Sequence, residues 1–125
     1  MVKQTLSIEQ MQHLKELGIN INNDTPAFVL EDILELLPVC ISVTTIYMET
    51  LKFELHIKRM VFDSGKVKYV VIYEEQYSPT WYVSQSEDNL IDAAYGMLLW
   101  CIKYGYLENQ LITKYETRLC KSFFS

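Results

Sequence analysis

The chain has 125 residues, half of them apolar, with a net charge of −5 and an isoelectric point near 5.0. That length suits one domain, and the apolar content supplies a core, so a disordered chain is excluded. A duplex-binding protein carries a basic stripe that releases phosphate counterions. The densest basic stretch here is Lys58-Arg59, so a nucleic-acid partner is not expected, and the acidity favours solubility and a basic protein partner.

The first helix is predicted over residues 7–17. Ser7 caps it, and Gln10 three residues on completes a capping box. Ile8, Met11, Leu14 and Leu17 recur at intervals of three and are expected on one face, with Gly18 as a left-handed stop. The Asn- and Asp-rich linker 20–25 reads as a turn. A second helix follows over 30–37, or from Pro26 after a Thr25 cap. Its stripe is Leu30, Ile33, Leu34 and Leu37, and Pro38 ends it.

Residues 39–84 read as strands. The first is expected over 41–48, with Thr44-Thr45 as a turn or bulge. In the second, 51–61, Leu51, Phe53, Leu55 and Ile57 alternate with Lys52, Glu54, His56 and Lys58, a period that separates two faces. Asp63-Ser64-Gly65-Lys66 is a turn into a third strand over 67–75, making an antiparallel hairpin. The centre of that strand, Tyr69-Val70-Val71-Ile72-Tyr73, is apolar on both faces. It is therefore covered on both sides, or covered on one side with a tyrosine-rich face on the other. A fourth strand is expected over 80–84, with Trp81 and Val83 on one face.

The main helix is expected in 85–105. Ser84 or Ser86 would cap it, with Glu87 and Asp88 near its positive end. Leu90, Ile91, Ala94, Met97, Leu98, Cys101 and Ile102 form its apolar face, and Gly105 stops it. Gly96, inside this helix, is read as a close approach of helix to sheet. Residues 106–125 form a tail, with a short helix through Leu107, Leu111, Tyr115 and Leu119, whose Phe123 and Phe124 are expected to dock on the domain or contact another copy.

Chemistry-bearing motifs are sparse. His13 and His56 read as surface residues, and no zinc-spaced pair, nucleophile elbow or glycine-rich phosphate cradle occurs. No cofactor or metal is expected. If an enzyme, the chain would have to assemble its site in three dimensions, with His56, Glu54 and a tyrosine as the members to test. The tyrosines are the other signal. Tyr69, Tyr73, Tyr77 and Tyr82, with Trp81, cluster around the strands. They either finish the core and sheet surface or form an interaction surface, together with Phe123 and Phe124. Cys40, Cys101 and Cys120 are read as free thiols of a reducing compartment. The first residues start no signal peptide, and the longest apolar stretch, 93–102, is too short to span a membrane. A cytoplasmic location is the default expectation.

Three segments together resemble a known group. They are Leu6-Ser7-Ile8-Glu9-Gln10-Met11-Gln12-His13-Leu14-Lys15-Glu16-Leu17-Gly18, Leu30-Glu31-Asp32-Ile33-Leu34-Glu35-Leu36-Leu37-Pro38, and Asn89-Leu90-Ile91-Asp92-Ala93-Ala94-Tyr95-Gly96-Met97-Leu98-Leu99-Trp100-Cys101-Ile102. In this order they resemble small proteins, without assigned activity, encoded by phages and mobile elements of gut anaerobes. The likeness covers most of residues 6–107 and departs in a longer hairpin and in the tail. It implies a genomic setting and carries over no functional residue. Residues 68–102, with Trp81-Tyr82-Val83-Ser84 and a helix opening Leu90-Ile91-Asp92-Ala93, are similar to the β-β-α core of HicB-type antitoxins. That similarity implies neutralisation of a partner ribonuclease. The DNA-binding segment often attached to those proteins is not recognisable here.

The expected fold is one α+β domain: a three- or four-stranded antiparallel sheet, the main helix on one face, and two short N-terminal helices. The expected function is a non-enzymatic protein-binding or regulatory module. The alternatives are an antitoxin-type neutralising protein and a homo-oligomeric structural protein.

Overall fold

The first helix is set by local hydrogen bonds. In the computed structural model, which describes residues 3–107, α1 runs Ile8–Glu16 behind the Ser7 cap. Ser7 Oγ accepts from the Gln10 N–H at 3.1 Å, and Gln10 Oε1 accepts from the Ser7 N–H at 2.9 Å. Gly18 takes φ +101° just beyond the helix, as the stop requires. Only Met11 and Leu14 of the expected stripe are buried, while Ile8 and Leu17 are exposed. A step of three residues falls short of a full turn, so from Ile8 to Leu17 the direction rotates by about 180°.

The linker closes as a side-chain-supported turn: Asn22 Oδ1 accepts from the Asp24 N–H at 2.8 Å, and Thr25 Oγ1 accepts from the Asn22 N–H at 3.0 Å. Thr25 is thereby engaged, and α2 begins at Leu30, not Pro26; it spans Leu30–Leu36. Val29 precedes it in extended geometry, bridged to Thr5, with its N–H donating to Asp32 Oδ2 at 2.8 Å. Leu37, before Pro38, is already extended at ψ 136°.

Four strands follow: β1 Cys40–Thr44, β2 Thr50–Val61, β3 Val67–Glu75 and β4 Trp81–Glu87. They pair antiparallel in the order β1-β2-β3-β4. The first strand is shorter than 41–48, because the chain reverses at residues 45–49 and enters a hairpin with β2. The β2–β3 hairpin matches expectation, with Gly65 at φ +86° in its turn. β4 is longer than 80–84. Ser84 pairs with Ile72, Ser86 with Val70 and Glu87 with Tyr69, so neither serine caps a helix.

A bulge corrects the expected pairing of Trp81 with Val83. Tyr73 faces Val83 but Glu74 faces Trp81, leaving Tyr82 as the extra residue. The bulge shifts the alternation, so Val83 packs on the core while Trp81 joins Glu74 on the opposite face.

Asn89 starts the main helix. Its Oδ1 accepts from the Asp92 N–H at 3.0 Å, and α3 runs Leu90–Lys103. The helix packs on β3 and β4, and α2 packs on α3. Ile91, Ala94, Met97, Leu98 and Cys101 are buried as expected, joined by Ala93. Met11, Leu14, Ile33, Leu37, Phe53, Val71 and Tyr73 complete the same core. Gly96 faces β4 closely: a Cβ there would stand 3.2 Å from Gln85 Oε1.

The central strand is covered on both faces. Val71 and Tyr73 meet the helices. Val70 and Ile72 are equally buried on the other face, where Lys58 and Ser86 flank the first and His56 and Ser84 the second. Cys101 is a free, buried thiol. Cys40 is disulfide-bonded, which corrects the reading of three free thiols and removes one support for a reducing compartment. Phe123, Phe124, Cys120 and the expected short terminal helix lie outside the described residues. Among the described residues no helix is long and apolar enough to cross a membrane.

Candidate functional site

The tyrosines do not form one surface. Tyr73 is fully buried and belongs to the core. Its hydroxyl donates to the Pro38 carbonyl at 2.8 Å and accepts from Cys101 Sγ at 3.9 Å. Burial pushes the Tyr73 hydroxyl far above its ordinary range and the Cys101 thiol up to about 12. Both groups stay protonated at neutral pH, so this pair is a structural bolt between β3, α3 and the start of β1.

The other aromatics diverge. Tyr82 lies 5.1 Å from Phe53 and 6.0 Å from Trp100 between ring centroids. Trp100 stacks on Tyr106 at 5.3 Å and meets Tyr104 at 5.1 Å, so an aromatic row closes the C-terminal end of α3. Trp81 sits on the opposite face of the sheet. Its Nε1 donates to Glu74 Oε1 at 3.2 Å, and Lys58 Nζ stands 5.4 Å from its ring. Burial would raise the Glu74 carboxyl, but the hydrogen bonds from Lys58 and Trp81 and the nearby positive charge hold it below its ordinary value. Tyr77 is 89% exposed in the β3–β4 loop.

His56 and Glu54 share the face of Trp81, 3.6 Å apart and both solvent-accessible. No tyrosine hydroxyl hydrogen-bonds to either among the described residues. Nor do the described residues contain a group of three or more His, Cys, Asp or Glu placed to hold a metal.

Tyr69 marks a different place. On β2, Ile57, Arg59 and Val61 stand across from Val71, Tyr69 and Val67 on the helix-side face. The hairpin outruns the helices there, and Ile57 and Val61 are exposed, Val61 by 63%. Beside them opens a groove of about 990 Å³ whose lining includes Leu30, Arg59, Val67, Tyr69, Leu90 and Ile91. Its walls are thus the starts of α2 and α3 and the distal half of the hairpin. The volume is at the upper end of the range for small-ligand pockets.

The charges at the rim are unevenly committed. Lys3 pairs with Asp92 at 2.8 Å, and Asp88 is held by Lys68 at 3.3 Å and Lys66 at 4.0 Å. The side chains of Arg59 and Glu31 make no hydrogen bond or ion pair among the described residues. Sequence reasoning passed over Arg59, although a signal was present. It occupies an apolar position of the alternation Leu51, Phe53, Leu55, Ile57, Arg59, Val61. A charge there faces the helix side, where it needs either a partner or an opening.

Compared with protein-family models, with curated proteins and with solved structures, the chain matches none of them.

Proposed function

We propose that this chain is a non-catalytic protein-binding module that works through the groove between the starts of α2 and α3 and the β2–β3 hairpin. One observation carries the reading: the apolar part of the groove's lining, Leu30, Val67, Leu90 and Ile91, adjoins the exposed Ile57 and Val61, which flank Arg59 on the helix-side face of the hairpin. Contiguous exposed apolar surface rimmed by charge marks an interaction site more often than a solvated face. The titratable pair with strongly shifted values, Tyr73 and Cys101, is shifted by burial in the core, away from the groove. The resemblance to phage and mobile-element proteins supplies a genomic setting for such a module.

The test is a site-specific photo-crosslinker placed at Val61 and, as control, at His56 on the opposite face of the sheet. A discrete, stoichiometric adduct from Val61 but not from His56, lost when Ile57→Glu is added, is the expected result. Equal labelling from both positions, or none from Val61, overturns the reading.

A further inference from the structure

The β1–β2 turn is built to present apolar side chains. Thr45 Oγ1 accepts from the N–H groups of Tyr47 and Glu49, each at 3.3 Å. The Thr45 N–H donates to the Glu49 carbonyl at 2.8 Å, and the Met48 N–H to the Thr45 carbonyl at 3.0 Å. The turn thus meets its polar needs internally. Ile46, Tyr47 and Met48 are left 89%, 80% and 83% exposed. Met48 adopts φ +65°, in the left-handed region where a side chain is strained. A turn that only reverses the chain is better served by Asn or Gly. Three bare apolar residues held at a strained backbone are therefore a surface awaiting a partner.

The turn and the groove sit at opposite ends of the molecule. β2 connects them, starting at Thr50 beside the turn and ending at Val61 beside the groove. A strand of that length separates its ends by roughly 35–40 Å at ~3.3 Å per residue, so the tip cannot enter the groove of its own chain. Their chemistries match. The tip is an apolar plug followed by the Glu49 carboxylate; the groove is a largely apolar socket with the Arg59 guanidinium on its hairpin wall, while Glu31 and the lysine-held Asp88 lie on its helix-side walls. Neither side-chain charge has a partner among the described residues.

We infer that the Ile46–Met48 tip of one copy seats in the groove of a second copy, with Glu49 meeting Arg59. The contact is heterologous, because each copy offers its plug at one end and its socket at the other, so association proceeds head to tail. The inference rests on the groove being a docking site and adds what occupies it.

Sedimentation of the full chain tests it. Wild-type protein should show a weight-average mass that rises with concentration beyond twice the 14.7 kDa protomer. Tyr47→Asp removes the plug and Arg59→Glu reverses the socket, and each variant alone should sediment as a monomer. Mixed in equal amounts they should form a dimer and stop, since one good plug and one good socket remain. Glu49→Arg combined with Arg59→Glu in one chain should restore growth. All these positions are exposed, and unchanged thermal melts verify each fold. A wild-type chain that stays monomeric, a variant that still associates, or a mixture that stays monomeric overturns the inference. If self-association is absent while Val61 still crosslinks a different protein, the groove reading survives and self-docking does not. If both are absent, both fall.

Discussion

Gln10 serves two helices at once: its Oε1 accepts from the Ser7 N–H that opens α1, while its Nε2 donates to Asp92 Oδ1 in the first turn of α3 at 3.0 Å. Lys3 Nζ joins both, at 2.8 Å from Gln10 Oε1 and from Asp92 Oδ1. A local cap thus becomes a tertiary clamp between residues 82 positions apart. Gln10→Ala removes the reciprocal cap and the cross-link together and is expected to cost about 1–2 kcal/mol, measured by urea unfolding. A double-mutant cycle with Asp92→Ala should show non-additivity; strictly additive losses would mean that the clamp carries no coupling.

The same clamp sets an acid limit. Partial burial alone would raise the Asp92 carboxyl, but hydrogen bonds from Gln10, Lys3 and Asn89 and the Lys3 charge hold it below its ordinary value of 3.8. A carboxyl depressed in the folded state contributes stability that is fully present above the unfolded value and is lost as pH falls through the folded one. Stability should therefore drop as pH falls below about 4, and Asp92→Asn should flatten that limb while lowering stability at neutral pH. An unaltered acid limb in Asp92→Asn would assign the loss to other carboxyls.

Tyr73→Phe leaves the Pro38 carbonyl and the Cys101 thiol without their partner in a buried place. The expected loss is about 1–3 kcal/mol with unchanged far-ultraviolet circular dichroism. Because burial holds the Cys101 thiol up to about 12, iodoacetamide at pH 8 should not label Cys101 in the folded chain and should label it after unfolding. Rapid labelling of the native protein would contradict the burial described above.

At Gly96 the allowance for a side chain is narrow. A Cβ would lie 3.2 Å from Gln85 Oε1 and 3.6 Å from Gln85 Cβ. The amide end of Gln85 can rotate away, so Gly96→Ala should change stability by less than about 1 kcal/mol, helix propensity offsetting the contact. Gly96→Leu pushes α3 off β4 and should cost at least about 2 kcal/mol. Equal thermal midpoints for the Leu variant and the wild type would mean that helix and sheet are not closely seated here.

Much of the fold is legible in the sequence because the deciding interactions are short-range. The Ser7–Gln10 box, the Gly18 and Gly105 stops, the Pro38 break and the turn at Gly65 each involve residues a few positions apart. The alternation along β2 and the apolar stripe of α3 set fold class in the same way, through the fixed periods of strand and helix. The tertiary structure decided which apolar residues the core accepts. It left out Ile8, Leu17 and Val61, split Trp81 from Val83 by a bulge, and carried β4 past Ser84 and Ser86 because β3 still offered partners. The groove, too, belongs to the tertiary level alone. It exists because the β2–β3 hairpin is longer than the helices laid over it, and no local pattern records the relative reach of elements far apart in the chain.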